Sequence, residues 1–112
     1  MKIYHNPRCR KSRETLEIIR GAGIEPEIVE YLKTPPSRQE LKEILHMLGV
    51  PAEKIIRKNE EIFKQNFKGA KHADDEWVDI LVKHPKLIER PIVVRGKKAV
   101  LGRPPENVES LL

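Results

Sequence analysis

The sequence predicts an α/β domain: a mixed four-stranded sheet with flanking helices and a helical insertion. Three observations carry that expectation. The apolar period switches along the chain between strand-like and helix-like segments, in the order β-α-β, a helical stretch, then β-β-α. Late in the chain, Arg95-Gly96-Lys97-Lys98 separates two short β-branched runs, as a glycine turn does in an antiparallel hairpin. The length, 112 residues, suits one compact domain with a modest core.

The elements follow in order. Lys2 to Tyr4 is a short apolar-rich run broken by Asn6-Pro7, which reads as a first strand. From Arg10 onward, Leu16, Ile19 and Ala22 recur at helical spacing until Gly21 and Gly23 stop the helix. Glu27 to Leu32 contains Ile28, Val29 and Tyr31, a second strand, and Pro35-Pro36 ends it. Ser37-Arg38-Gln39-Glu40 is a capping box, opening a helix with an apolar stripe of Leu41, Ile44, Leu45 and Leu48. Gly49 and Pro51 close it. Residues 51–84 read as helical and charged, with Asp74 or Asp75 capping a helix that buries Trp77, Ile80 and Leu81. Ile92-Val93-Val94 and Ala99-Val100-Leu101 are the hairpin strands, and Pro104-Pro105 starts a last short helix. A βαβ unit followed by a hairpin and a helix is the thioredoxin arrangement. Here it is one domain spanning 1–112, enlarged by a helical insertion at about 37–84. That arrangement places a cis-proline before the first hairpin strand, facing the start of the first helix, so Pro91 is expected to be cis.

Composition excludes several classes. Hydrophobic residues make up 38% and charged residues 35%, too apolar for a disordered chain. The longest apolar runs fall far short of the roughly 20 residues that span a bilayer. The net charge is +5, but basic and acidic residues are interleaved. Aromatics are only 4%, so neither a one-signed stripe nor a stacking platform for nucleic acid is evident. A mild positive field suits a small anion instead. No signal-peptide pattern follows Met1, and one cysteine forms no internal disulfide, so a cytoplasmic location is expected.

That cysteine, Cys9, lies in His5-Asn6-Pro7-Arg8-Cys9-Arg10-Lys11-Ser12-Arg13, between a proline turn and a helix start. Unpaired backbone N–H groups and the helix dipole favour an anion there, and cationic neighbours lower a thiol pKa further. A free thiol with a pKa of about 8.5 is only a few per cent ionised at pH 7. His5, Arg8, Arg10, Lys11, Ser12 and Arg13 are candidate donors to a Cys9 thiolate. A tyrosine-phosphatase loop needs an arginine six residues after the cysteine, where Thr15 stands. A dithiol motif needs a second cysteine where Ser12 stands. Cys9 with His5, His46, His72 or His84 has no paired metal-ligand spacing, so no metal is expected.

His5-Asn6-Pro7-x-Cys9-x-x-Ser12-Arg13, Ile56-Arg57, Glu89-Arg90-Pro91-Ile92-Val93-Val94 and Gly102-Arg103-Pro104 together resemble the glutaredoxin-coupled arsenate reductase (ArsC) family, collinearly over essentially the whole chain. The resemblance implies a thioredoxin-like fold with Cys9 as nucleophile. It implies thiolate stabilisation by His5, Ser12 and Arg13, and an oxyanion site of Arg57, Arg90 and Arg103. Arginine suits that role because its planar fork pairs with oxyanions and keeps its charge. The implied reaction reduces arsenate to arsenite. Cys9 attacks arsenate, glutathione attacks the adduct as co-substrate, and the partner glutaredoxin reduces the mixed species. A monomer with no bound cofactor is expected. Two alternatives share the fold: another glutathione-linked thiol oxidoreductase, and an Spx-like regulator that binds RNA polymerase. The regulators typically carry a Cys-x-x-Cys switch, which Ser12 denies.

Overall fold

A computed structural model describes residues 1–112. The chain forms two compact units, one made of residues 1–34 and 90–112 and the other of residues 35–89.

The first unit holds the sheet. Its strands are β1 (Lys2–His5), β2 (Glu27–Glu30), β3 (Ile92–Arg95) and β4 (Lys98–Leu101), in the spatial order β2-β1-β3-β4. β1 and β2 are parallel; β1 with β3 and β3 with β4 are antiparallel. This is the mixed thioredoxin-type sheet, with α1 (Arg10–Gly21) linking β1 to β2. A 3₁₀ helix, Pro105–Leu111, follows β4. Ile3 and Val93 from the sheet, Leu16 and Ile19 from α1, and Val108 and Leu111 from the 3₁₀ helix form one apolar cluster. Both helices therefore cover the same sheet face. Each fully buried aliphatic side chain here contributes about 1.5–3 kcal/mol.

Local chemistry explains most of the boundaries. α1 buries Ser12, Thr15, Leu16 and Ile19, the i, i+3, i+4, i+7 face of a helix. Ala22, expected on that stripe, lies beyond the helix end and is exposed. β2 stops at Glu30, where the carbonyl accepts Lys33 and Thr34 N–H and turns the chain before Leu32. In the hairpin, positive φ is confined to Gly96, the first central position of a two-residue turn, as in type II′. The terminal helix is 3₁₀ rather than α. Pro105 lacks an N–H, and Asn107 Nδ2 reaches back to the Leu101 and Arg103 carbonyls, holding a short, tight coil.

The second unit contains α2 (Arg38–Leu48), α3 (Glu61–Asn66), α4 (Asp74–Lys83) and two 3₁₀ turns, Ala52–Ile55 and Pro85–Leu87. Ser37 caps α2 by accepting Glu40 N–H at 3.1 Å, and Gly49 ends it in the left-handed region at φ 71°. In α4 the buried residues are Trp77, Val78 and Leu81; Val78 takes the place expected for Ile80, which is half-buried. Neither Asp74 nor Asp75 is the N-cap. Ala73 holds that position, its N–H donating to Glu76 Oε1 at 2.8 Å, while Asp74 Oδ1 accepts Ala52 N–H at 2.7 Å. An antiparallel bridge between Ile56 and Ile88 is flanked by Arg57 N–H to Leu87 O, 2.8 Å, and Glu89 N–H to Ile55 O, 2.7 Å. It pins the chain from Ile55 to Arg57.

Gly102, just after β4, sits where no side chain fits. A Cβ there would lie 2.5 Å from Thr15 Oγ1 and 2.8 Å from Pro91 Cγ. Gly102→Ala should therefore destabilise the fold by about 1–3 kcal/mol, the usual cost of overpacking, measurable by urea denaturation. Adding Thr15→Ala should make the double variant more stable than the sum of the two single losses, because the sites touch.

Candidate active site

The thiol site lies in the sheet unit, where β1 hands over to α1. His5 ends β1, the chain turns through Asn6-Pro7-Arg8, and Cys9 is the N-cap of α1 with extended backbone. The turn is self-bonded: Cys9 N–H donates to Asn6 O at 2.9 Å, and Arg8 N–H donates to Asn6 Oδ1 at 3.0 Å. No acidic residue occupies the first turn of α1, so nothing intrinsic to the helix neutralises its positive end.

Cys9 is buried, and burial pushes its thiol pKa up. That effect is outweighed by the Ser12 backbone N–H, the charge and a hydrogen bond of the Arg90 guanidinium, and the Lys11 backbone N–H, so the net pKa is lowered. The cation acting on the sulfur is Arg90, two residues before β3. The basic residues adjacent in sequence are engaged elsewhere or exposed. Arg10 pairs with Glu14 at 2.8 Å, Arg13 Nη1 donates to Pro7 O at 3.0 Å, and Arg8 and Lys11 are exposed.

Ser12 works through two groups. Its backbone N–H serves the sulfur, while its buried hydroxyl accepts Asn6 N–H at 3.1 Å and lies 2.6 Å from His5 Nδ1. The pKa of His5 is lowered, chiefly by burial, with Arg20 and Arg13 acting in the same direction and Glu30 opposing. A neutral His5 accepts the Ser12 hydroxyl proton at Nδ1, which places the ring proton on Nε2. His5 thus holds Ser12 at the helix start.

Arg90-Pro91 and Arg103-Pro104 are both cis. They are neighbours, because the hairpin register pairs Ile92 with Leu101 and Gly102 N–H donates to Pro91 O at 2.9 Å. Arg103 Nη1 donates to Arg90 O at 3.3 Å. The structure thus brings Cys9, Ser12, His5, Arg90, Pro91 and Arg103 into one unit. Arg57 belongs to the other unit, where Nη1 pairs with Glu60 at 2.8 Å and reaches Lys86 O at 3.4 Å.

Two further residues, neither of them read from the sequence as part of the site, shape it. Thr15 is buried and donates to Lys11 O at 2.8 Å, with Gly102 O at 3.4 Å. Gly102 admits that approach. A polar residue on the inner face of an amphipathic helix was the available clue at Thr15.

The chain matches the ArsC family model over residues 4–111. It is 46% identical over 110 residues to the uncharacterised protein YfgD of Escherichia coli K12, covering 96% of this chain and 92% of that one. It is 45% identical over 111 residues to an arsenate reductase of Escherichia coli, covering 98% of this chain and 79% of that one. A solved structure, the arsenate reductase from Vibrio cholerae, superposes with a TM-score of 0.94 at 45% identity, covering 100% of this chain and 98% of that one.

Alkylation of Cys9 by iodoacetamide, followed against pH, should show a midpoint below that of an ordinary thiol. Arg90→Leu should move the midpoint up. Arg13→Ala should leave it nearly unchanged, because that guanidinium is committed to the Pro7 carbonyl.

Proposed function

This chain belongs to the ArsC family, and from that premise we propose that it reduces arsenate to arsenite through a covalent adduct on Cys9. The observation that carries the reading is the convergence of the Ser12 and Lys11 N–H groups and the Arg90 guanidinium on one thiol. Donors that favour a thiolate also suit an oxyanion arriving beside it. The arsenate reductases among its relatives support the choice of substrate.

In the proposed reaction the Cys9 thiolate attacks arsenic(V) and one arsenate oxygen leaves as water. A second thiol then attacks, two electrons pass to arsenic, and the two sulfurs end as a disulfide. The chain has one cysteine, so the second thiol comes from outside it. Glutathione fills that role, and glutaredoxin reduces the resulting mixed disulfide. Arg90 and Arg103 hold the oxyanion, and Arg57 is the third arginine assigned to that role. His5 and Ser12 keep the helix start in place.

Purified protein given arsenate, glutathione and glutaredoxin should form arsenite. Omitting either thiol reagent should slow turnover, and Cys9→Ser should abolish it. A charge-assisted contact is worth about 1.5–3 kcal/mol. Arg57→Ala, Arg90→Ala or Arg103→Ala should therefore each weaken protection of Cys9 by arsenate roughly ten- to a hundredfold. Phosphate should compete with arsenate. Absence of both arsenite formation and protection at millimolar arsenate would remove the reading.

A further inference from the structure

The inserted unit contains a cavity of about 550 Å³ that shares no residue with the thiol site. Its size lies in the range of small-molecule sites. Four lysines line it: Lys58, Lys64, Lys68 and Lys71. Lys58 is neutralised by Glu53 at 2.9 Å, which also lines the cavity. Lys64, Lys68 and Lys71 have no carboxylate partner in the protein, although 17 acidic residues are distributed along the chain. Elsewhere in this unit Arg38 and Lys42 pair with Asp75 and Arg57 with Glu60, while Lys54 and Lys83 stand apart from the cavity without a carboxylate. Three unpaired ammonium groups around one concavity are an excess of positive charge with no internal partner.

The wall itself is aromatic. Trp77 lines the cavity and is 3% exposed, and its indole N–H is buried with no acceptor in the protein. Buried donors are nearly always satisfied. Phe63 and Trp77 stack at 6.2 Å between ring centroids, and Phe63 is also buried. These rings are turned toward each other and offer little face to a base or sugar. Recognition in this cavity is therefore by charge and hydrogen-bond acceptance.

We propose that this cavity is a second anion site, taking a small polyanion that carries two or more phosphate or carboxylate groups. A monoanion would meet one ammonium at a time and be displaced by ordinary salt. Several linked anionic groups engage Lys64, Lys68 and Lys71 together, against the wall that holds Trp77. The site is independent of the arsenate reading.

Trp77 is the sole tryptophan, so its fluorescence reports on this wall. The full chain is titrated at low salt with tripolyphosphate, with citrate and with orthophosphate. The expected result is a saturable change with tripolyphosphate or citrate, weakened by added salt, and a much weaker response to orthophosphate. Whichever polyanion responds more strongly identifies the phosphate or the carboxylate class. Lys64→Gln, Lys68→Gln and Lys71→Gln should each weaken binding about three- to tenfold, and the triple variant should lose it. All three lysines are exposed, and circular dichroism verifies that the fold is kept. Cys9→Ser should bind as wild type does. No response to either polyanion at millimolar concentration, or an undiminished response in the triple variant, overturns the proposal.

Discussion

A helix whose N-cap is a thiol depends on an anion at that thiol. Most helices satisfy their first N–H groups with a serine, threonine or aspartate cap, or with an acidic side chain in the first turn. α1 has none of these: Cys9 makes no neutral side-chain cap bond, and the first turn holds no acid. The N–H groups of Lys11 and Ser12 are satisfied when the sulfur is charged. Cap and thiol are the same residue, so the local stability of the helix start and the ionisation of the thiol are coupled.

The rest of the sheet unit brings a cation to that atom from the far end of the sequence. Gly96 closes the hairpin, and the register that follows sets Ile92 against Leu101 and joins Pro91 to Gly102. Arg90 and Arg103 flank that join. A slip of one residue in β3 would turn its side chains to the opposite face and carry Arg90 off the sulfur. Thr15 fixes the remaining degree of freedom, since its side chain on α1 packs against Gly102 at a distance that tolerates no Cβ. Donors on the helix and cations on the hairpin are thereby locked together by contacts that touch neither the sulfur nor a guanidinium.

How much of this was legible in the sequence depended on the range of the interaction. Strand and helix order, the Ser37 cap, the Gly49 stop and the Gly96 turn are encoded within a few residues, and the structure has them. The α4 stripe slipped to Val78 because Ile80 and Val78 are both apolar and only packing distinguishes them. A short acid before an apolar run usually caps a helix, which points to Asp74 or Asp75; here Asp74 bonds Ala52 and Ala73 takes the cap position. The position of Cys9 was visible, but its charge partner was not. Arg8, Arg10, Lys11 and Arg13 sit beside it in sequence, yet a helix start points neighbouring side chains outward. The guanidinium that reaches the sulfur comes from Arg90. Of the neighbouring candidates, Ser12 and Lys11 serve the sulfur through backbone N–H groups rather than side-chain charge, and motif resemblance singled out Arg90.

The three arginines differ in what holds them, and that difference orders the proposed chemistry. Arg57 is paired with Glu60 through Nη1 within the inserted unit. Arg103 is tied through Nη1 to the Arg90 carbonyl, so it follows the hairpin. Arg90 has the sulfur itself as partner. While Cys9 is a thiolate, part of the Arg90 charge is spent on it. In the proposed reaction the sulfur would lose its negative charge on bonding to arsenic, which would free the same guanidinium for the adduct's oxygens. Binding strength alone cannot separate arsenate from phosphate here, since both present similar tetrahedral oxyanions to the same forks. The discrimination has to come from the bond that Cys9 forms, because arsenic(V) accepts a thiolate and two electrons where phosphorus does not. The arginines thus serve the step after attack as much as the one before it, which is the differential, transition-state use of binding that raises a rate rather than an affinity.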